Sequence, residues 1–260
     1  MLYYSLSKIG LKLSAAYPIL DFGNSLEIKP LMDTRIPVIT GAGVAISQQN
    51  KVLRNTYLLL ALTMVPTVVG AMIGMATGGI VMQHPIIASM VIMGAVIGLQ
   101  FAIVANRNSG LGIALLLAMT FILGWWLGPL LSVAFRLSNG GQLVGFAAGG
   151  TAAVMVTMAT IATTTKRDFS FMGKFLFVGM IVLLVAMLAN MFLQIPALAL
   201  TISSLVIVVF SLFLLHDLSR IVTGGETNYV VATMGVYMSL FNIFANLLHL
   251  LMAFAGGDGE

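Results

Sequence analysis

One stretch near the C-terminal end of the chain brings together several residues able to do chemistry. An apolar run ends on His216 and Asp217, and a polar turn carrying Glu226 follows. The next apolar run contains a series of small or polar residues at steps of four, three, four and three, namely Gly235, Ser239, Asn242, Asn246 and His249. This series, called the polar stripe below, falls on one face of a helix. Because lipid cannot satisfy polar groups, we expect it to face the interior of a helix bundle.

The carboxylates allow two kinds of chemistry. Asp217 is either an interfacial acid paired locally with Arg220, which contributes little, or a carboxylate at the mouth of the polar interior that titrates or holds a cation. Glu226 suits the positive N-terminus of the helix that follows, where Thr227 or Asn228 can act as the cap. The alternative is a joint cation or gating site formed by Asp217, Glu226 and Ser239.

The remaining polar groups have similar alternatives. His216 follows a different helix face from Asp217, so we expect it to reach the membrane interface rather than to share a ligand with its neighbour. The polar stripe either fixes helix packing through interhelical hydrogen bonds or lines a narrow polar pathway. Facing partners for it are Asn190, Gln194, Gln100 and a ladder of threonines, namely Thr157, Thr160 and Thr164.

Composition places these residues in a membrane. Hydrophobic residues make up 60% of the chain, charged residues 8%, and the mean hydropathy is +1.07. Soluble domains carry about 25% charged residues, so the chain is an integral membrane protein that crosses the lipid bilayer several times. The net charge of +4 comes from scattered basic residues, which argues against a nucleic-acid partner. The absence of cysteine excludes disulfides, iron–sulfur clusters and thiol catalysis.

Seven apolar runs are long enough to span a bilayer. They cover roughly residues 57–75, 86–105, 111–133, 143–163, 171–193, 197–215 and 229–254. Short polar separators make successive helices antiparallel neighbours. The domain organisation predicted from this pattern is a flexible N-terminal tail over residues 1–55, a seven-helix domain over 56–254 and a short tail over 255–260. Pro18, Pro30 and Pro37 interrupt any long helix in the first segment.

Charge asymmetry predicts the orientation. Eleven of the twelve lysines and arginines fall on the side of the N-terminus, and Arg136 alone falls on the other. The positive-inside rule therefore places the N-terminus in the cytoplasm and the C-terminus in the periplasm.

Glycines at four-residue spacing indicate how the helices pack. Such repeats occur in four of the runs: Gly70/Gly74/Gly78, Gly94/Gly98, Gly124/Gly128 and Gly141/Gly145/Gly149. They let helix backbones approach closely. The interpretation is close packing within one subunit, and the alternative is a homo-oligomer that associates through one such face.

Enzymatic motifs are missing from the sequence. It contains no H-E-x-x-H, no G-x-S-x-G and no glycine-rich phosphate loop ahead of a lysine. Ser239 and His249 are separated by ten residues, which is about 15 Å along one helix, too far for a nucleophile and its base. We predict a protein that is not an enzyme and that has no cofactor.

Several motifs together resemble those of a known family. They are KVLRNTY (51–57), LGPLLS (127–132), GGTAAV (149–154), TTKRDFSFMG (164–173), LANMFLQIPAL (188–198) and the segment from His216 to Leu251. The chain resembles the Bax inhibitor-1 family of seven-helix membrane proteins, and most closely its YccA-type bacterial branch, whose members modulate the FtsH protease.

The resemblance implies a fold and two activities. The fold is an all-α seven-transmembrane-helix bundle with the seventh helix central, in the bacterial inner membrane. The first activity is binding of the membrane-anchored ATP-dependent protease FtsH and restraint of its digestion of membrane proteins. The alternative is a pH-sensitive calcium or cation leak, in which two hydrogen-bonded aspartates form a latch. Asp217 matches the first of these aspartates, whereas Ser239 occupies the position of the second, so calcium loses a charged ligand here. Calcium is expected only under this alternative.

The resemblance becomes weak before Lys51. Because Met32 is a plausible start residue, residues 1–31 are interpreted as an artefactual extension.

The resemblance also implies how such a protein would contact the protease. We expect the tail from Met32 to Asn50 to reach the ATPase ring, and Gly94/Gly98 or Gly124/Gly128 to form the lateral contact with the membrane segments of the protease.

Overall fold

The computed structural model describes residues 41–79, 83–165 and 167–257. Over these residues the chain forms helices and no strands. In chain order the helices are α1 (Gly41–Thr77), α2 (Pro85–Ala105), α3 (Gly110–Ala134), α4 (Gly140–Thr165), α5 (Met172–Leu193), α6 (Pro196–Thr223) and α7 (Tyr229–Gly257). All seven are long and apolar enough to cross a membrane. The all-α, multi-pass architecture expected from hydropathy is therefore confirmed.

Proline and glycine set several helix boundaries. Pro85 and Pro196 stand in the first turns of α2 and α6, where a missing N–H costs no hydrogen bond. Helix α6 ends at Gly224, whose φ of 81° is a left-handed conformation that glycine adopts without strain. The α5–α6 link reverses at Gln194, which has a φ of 52°, and the Asn190 side chain accepts the N–H of Ile195 across that turn.

The first helix begins earlier than the sequence pattern predicts. Helix α1 starts at Gly41, so the last part of the segment 1–55, interpreted as a flexible tail, is helical. No proline follows Pro37 until Pro66, and the early glycines fall within the first turn, where they do not interrupt the hydrogen-bond ladder. The tail ahead of Gly41 and the extension 1–31 lie outside the described residues.

Helices α1 and α3 cross with their backbones in contact. A Cβ added to Gly74 would lie 2.1 Å from the carbonyl oxygen of Trp125, and one added to Gly124 would lie 2.1 Å from that of Thr67. Gly70 and Gly128 are enclosed in the same way by backbone of the opposite helix. Close packing within one subunit is confirmed for these two repeats.

The other glycine repeats do not share that environment. A Cβ added to Gly94, Gly98, Gly141, Gly145 or Gly149 would meet nothing within 4 Å. Close packing is therefore the wrong interpretation for α2 and α4, whose glycines lie on open helix faces. Gly124 and Gly128, in contrast, are enclosed and cannot offer an external contact face.

The seventh helix has the most extensive set of neighbours. It packs against α1, α2, α3, α4 and α6, whereas α5 packs on α6. Tyr237, Val236, Ile243 and Leu248 of α7 are almost fully buried in these contacts. The buried side of α7 therefore lies within these helix contacts.

Candidate functional site

Two loops are joined at one end of the bundle by Asn228. Its Oδ1 accepts the N–H groups of Val230 (3.0 Å) and Val231 (3.2 Å), so Asn228 is the N-cap of α7. Its Nδ2 donates to the carbonyl of Arg107 (3.0 Å) and to Oδ1 of Asn108 (2.9 Å). The cap therefore also holds the α6–α7 turn against the α2–α3 loop, a contact that no local pattern predicts.

A third loop is fixed at the same end by Ser219 of α6. The Ser219 hydroxyl donates to the carbonyl of Arg167 (2.8 Å) and accepts the N–H of Phe169 (3.2 Å). In this α4–α5 loop, Asp168 Oδ1 accepts the N–H of Ser170 at 2.8 Å. Hydrogen bonding from Ser170 lowers the pKa of the exposed Asp168 carboxyl below its usual value.

Glu226 has local partners. Its Oε2 accepts a hydrogen bond from Arg220 Nη2 at 3.4 Å, and its Oε1 accepts the N–H of Asn228 at 2.9 Å. Arg220 thus pairs with Glu226 rather than with Asp217, because the turn folds Glu226 back over the end of α6. A cation at Glu226 would have to compete with this guanidinium.

Asp217 and His216 form a hydrogen-bonded pair instead of diverging. His216 Nδ1 lies 3.1 Å from Asp217 Oδ1, and their side chains are only 12% and 21% exposed. Each packs over a glycine: a Cβ on Gly173 would lie 2.9 Å from His216 Nε2, and one on Gly235 would lie 2.6 Å from Asp217 Oδ2. The expectation that His216 acts separately at the interface is therefore wrong, since the two bare helix surfaces admit both side chains between α5, α6 and α7.

The ends of the polar stripe face α6. Gly235 lies against Asp217, and His249 Nδ1 lies 3.0 Å from the hydroxyl of Ser203. Ser239, one turn along from Gly235, is only 2% exposed. The stripe therefore runs along the α6–α7 contact, with a titratable residue near each end.

The middle of the stripe is satisfied within its own helix. Asn242 Nδ2 donates to the carbonyl of Met238 at 2.8 Å, and Asn246 Nδ2 donates to the carbonyl of Asn242 at 2.9 Å. The threonine ladder proposed as a facing partner is exposed on α4, where its hydroxyls donate to carbonyls four residues earlier. Those threonines point away because the buried side of α4 carries Leu143, Ala147, Thr151 and Ala162 instead.

The Ser203–His249 pair has the composition of a hydrolase dyad without its surroundings. Catalysis at Ser203 would require free N–H groups to stabilise an oxyanion. Ser203 lies within α6, two turns after Pro196, where backbone N–H groups are bonded to carbonyls of the preceding turn. The pair is consequently an interhelical hydrogen bond.

Tyr237 is a buried polar residue that the sequence pattern did not single out. Its hydroxyl lies 2.8 Å from Thr67 Oγ1 of α1 and 3.4 Å from the carbonyl of Thr120 of α3. The side chain is 2% exposed, so these contacts join three helices in the core. A tyrosine in the middle of an apolar run is itself a signal, because its hydroxyl needs a partner at that depth.

A groove lies on the face of α7 opposite the polar stripe. Its volume is about 690 Å³, and it is bounded by α1 and α4 with part of α3, while α7 forms its base. The α7 residues at the base are Tyr237, Leu240, Phe241 and Phe244. We call it the lateral groove.

Acidic and metal-ligating side chains do not cluster in the described part of the chain. Over residues 49–79, 83–165 and 167–256, no group of three His, Cys, Asp or Glu residues is placed to hold a metal ion. Of the residues expected to form a joint site, Asp217 is paired with His216 and Glu226 with Arg220. Ser239 is buried and lies ten residues after the first residue of α7.

Comparison with known proteins adds a family and several relatives. Residues 49–256 match the family model described as inhibitor of apoptosis-promoting Bax1. The chain is 41% identical over 210 residues to a protein of Escherichia coli K12 named modulator of FtsH protease YccA, an alignment covering 80% of this chain and 92% of the relative. A relative in another Escherichia coli strain, named inner membrane protein YccA, has the same identity and coverage. An uncharacterized membrane protein of Vibrio cholerae is 40% identical over 205 residues, covering 78% of this chain and 90% of its own length.

Proposed function

The chain belongs to the Bax inhibitor-1 family, and from that premise we propose that it binds the membrane-anchored ATP-dependent protease FtsH and restrains its proteolysis of membrane proteins. It is a multi-pass protein of the bacterial inner membrane. The observation that carries the proposal is the 41% identity to a relative named modulator of FtsH protease, which extends over 92% of that relative. In this proposal, the present chain acts on the protease by binding it and not by catalysis.

We infer an orientation with the N-terminus in the cytoplasm and α7 central. Loop 106–109 carries Arg107, loop 167–171 carries Arg167, and the turn 224–228 lies beside Arg220. These three segments meet at one end of the bundle. The positive-inside rule assigns that end to the cytoplasm, which is where the ATPase part of such a protease works. Accessibility labelling of single cysteines, introduced in this cysteine-free chain at Asn108 and at Asn139, would test it.

The contact face with the protease is inferred to lie on α2. Gly94 and Gly98 form an open four-residue repeat on a helix that packs chiefly against α3, so a foreign transmembrane helix can approach its backbone closely. The other candidate face, Gly124 with Gly128, is occupied by α1. Bare glycine surface is useful here because apolar side chains provide no drive between helices in lipid.

Affinity capture from gently solubilised membranes tests both the partner and the face. The protease should co-purify with the unaltered chain. Gly94→Leu with Gly98→Leu should reduce that recovery several-fold. The matched control is Gly141→Leu with Gly145→Leu, the same substitutions at the same spacing on the open face of α4. Absence of the protease from every preparation refutes the partner, and equal loss with both pairs refutes the face.

We propose that the segment ahead of α1 presents itself to the protease as a handle. Residues 41–50 belong to α1, so the handle is the segment that ends at residue 40. A segment that engages the ATPase ring of the protease but is too short to be threaded through it would make the protein an inhibitor instead of a substrate. Deleting residues 32–40 leaves the helix start untouched. An unchanged half-life of the protein in cells that contain the protease, compared with the full chain, would contradict the handle.

The cation-leak interpretation has weaker support. Its latch needs two carboxylates, but Ser239 occupies the second position and Glu226 is engaged by Arg220. Calcium flux into liposomes is its test, with Asp217→Asn compared with the unaltered chain. Flux that depends on Asp217 would favour the leak over protease modulation.

A further inference from the structure

The lateral groove opens toward the lipid tails. Its rim on α1 is formed by Met64, Val68 and Met72, which are 41%, 57% and 61% exposed. The opposite rim on α4 includes Ala148 and Ala152, which are also exposed. Since both rims belong to membrane-spanning helices, their exposed faces meet hydrocarbon. The groove is therefore accessible from within the bilayer and does not require entry from water.

The base of the groove is apolar and buried. Leu60, Leu127, Leu131 and Leu240 lie beneath the rim with at most 9% exposure. The hydroxyl of Tyr237 is hydrogen-bonded to Thr67 and so is not available to a ligand. An occupant can gain dispersion contacts here but no polar recognition.

The shape of the lateral groove suits an elongated apolar occupant. Lining residues extend over residues 57–75 of α1 and 144–155 of α4, which at 1.5 Å per residue are about 27 Å and 16 Å. The groove is therefore elongated along the helix axes, with a volume of about 690 Å³. An extended hydrocarbon chain is about 4 to 5 Å across, because its carbons need about 4 Å from their neighbours.

Two basic residues stand at one end of this groove. Arg54 precedes the lining residue Tyr57 by three positions, which places both on one face of α1, and Lys51 lies one turn further toward the N-terminus of the helix. Both basic residues are exposed. At the other end a single basic residue, Arg136, lies in the α3–α4 loop. The long side chains of Lys51 and Arg54 can therefore reach a phosphate group at the Tyr57 end of the groove.

We propose that the lateral groove binds one acyl chain of a phospholipid whose phosphate lies beside Lys51 and Arg54. The bound lipid belongs to the leaflet at the Tyr57 end of the lateral groove, because two basic residues flank the groove only at that end. The bound chain would complete the surface between α1 and α4, which otherwise leaves the α7 base exposed to mobile lipid.

The test is photo-cross-linking of the full chain in liposomes of phosphatidylethanolamine with phosphatidylglycerol that carries a diazirine on one acyl chain. Adducts mapped by mass spectrometry should be several-fold more abundant in segments 57–75 and 144–155 than in α5. Helix α5 is the reference because it exposes Phe175 and Phe192 to the same lipid. Ala152→Trp fills the groove and should remove most groove adducts. Ala148→Trp, one turn away, should do the same.

Ala153→Trp is the matched control, because Ala153 is the next residue on the same exposed helix but does not line the groove. It should leave the adducts unchanged. Lys51→Gln with Arg54→Gln should lower them at least twofold. Adducts spread evenly over α5 and the groove would overturn the proposal, as would equal loss with Ala152→Trp and Ala153→Trp. Groove segments that give no lipid adducts, because residues 1–40 or a second copy fill the groove, would also overturn it.

Discussion

Replacing Gly128 by alanine should separate two helices that the fold holds in backbone contact. A Cβ at this position would lie 2.2 Å from the carbonyl carbon of Gly74 and 2.5 Å from the amide nitrogen of Met75. Non-bonded carbon atoms need about 3.5 Å or more. The α1 and α3 backbones must therefore move apart by about 1.3 Å, because backbone cannot rotate away as a flexible side chain can.

The cost follows from overpacking. Added methyl groups in a well-packed interior cost about 1 to 3 kcal/mol in the free energy of unfolding. For a protein of this size each kcal/mol corresponds to a change in Tm of roughly 2 to 4 °C. The expected fall in Tm for Gly128→Ala is thus roughly 2 to 12 °C. Helix propensity works in the opposite direction, since alanine is better than glycine by up to about 1 kcal/mol in a helix interior.

A control variant isolates the packing effect from that propensity. Gly98→Ala makes the same substitution on α2, where the new Cβ meets nothing within 4 Å, so its Tm should be unchanged or higher. Thermal unfolding in one detergent at one scan rate, followed by the fluorescence of Trp125 and Trp126, provides the comparison. Trp125 packs on the same crossing. Equal Tm values for the two variants would refute the close approach of α1 and α3.

Three further predictions concern single contacts. Asn228→Ala removes both the cap of α7 and the bond to the α2–α3 loop, and should cost about 1 kcal/mol or more, measured as a lower Tm that Asn228→Asp partly restores. The pKa of Asp168, observed by NMR, should lie below its usual value and should rise in Ser170→Ala. Because the pKa is lower in the folded state than in the unfolded state, the ionised carboxyl stabilises the fold above the unfolded-state pKa. That stabilisation disappears as the pH falls through the folded-state pKa. Ser203→Ala should cost only about 0.6 kcal/mol, the usual value for an interhelical hydrogen bond in a membrane, and a much larger loss would contradict a packing role for its bond to His249.

Hydropathy predicts the elements of this fold because each membrane span is a property of its own residues. Seven runs are expected, and seven membrane-spanning helices are present among the described residues. The cap at Asn228 is similarly open to prediction, since its two hydrogen bonds to α7 are local. The start of α1 is misplaced because the prolines that interrupt the N-terminal segment all lie before residue 38, and Gly41 and Gly43 do not break a helix that begins there.

Partners between helices cannot be predicted in this way. The glycine repeats at Gly70/Gly74 and Gly94/Gly98 have the same spacing, yet one is enclosed by α3 and the other is open. Their difference depends on which helix lies opposite, and that information is not in either segment. The same limit applies to Arg220, whose pairing with Asp217 is one of the two alternatives that the sequence allows: it is found with Glu226, across a turn whose path is set by Gly224.

The lateral groove and the partners of Tyr237 cannot be predicted from the sequence for a related reason. The groove exists because α1 and α4 do not meet above α7, and none of its lining residues is unusual in an apolar span. Tyr237 carries a detectable signal, as a phenol in the middle of an apolar run. Its partners, Thr67 and Thr120, belong to two other helices and have no sequence relation to it.

The length of α1 has a mechanical consequence. Its 37 residues extend about 55 Å, well beyond the roughly 30 Å of the hydrocarbon layer, so the helix projects beyond that layer. A pulling force applied at Gly41 is transmitted along the helix, past Pro66, to the crossing with α3. There the load acts in shear, and the backbone contacts at Gly70, Gly74, Gly124 and Gly128 must yield together instead of peeling one by one. A pull on the proposed handle would therefore load the α1–α3 crossing.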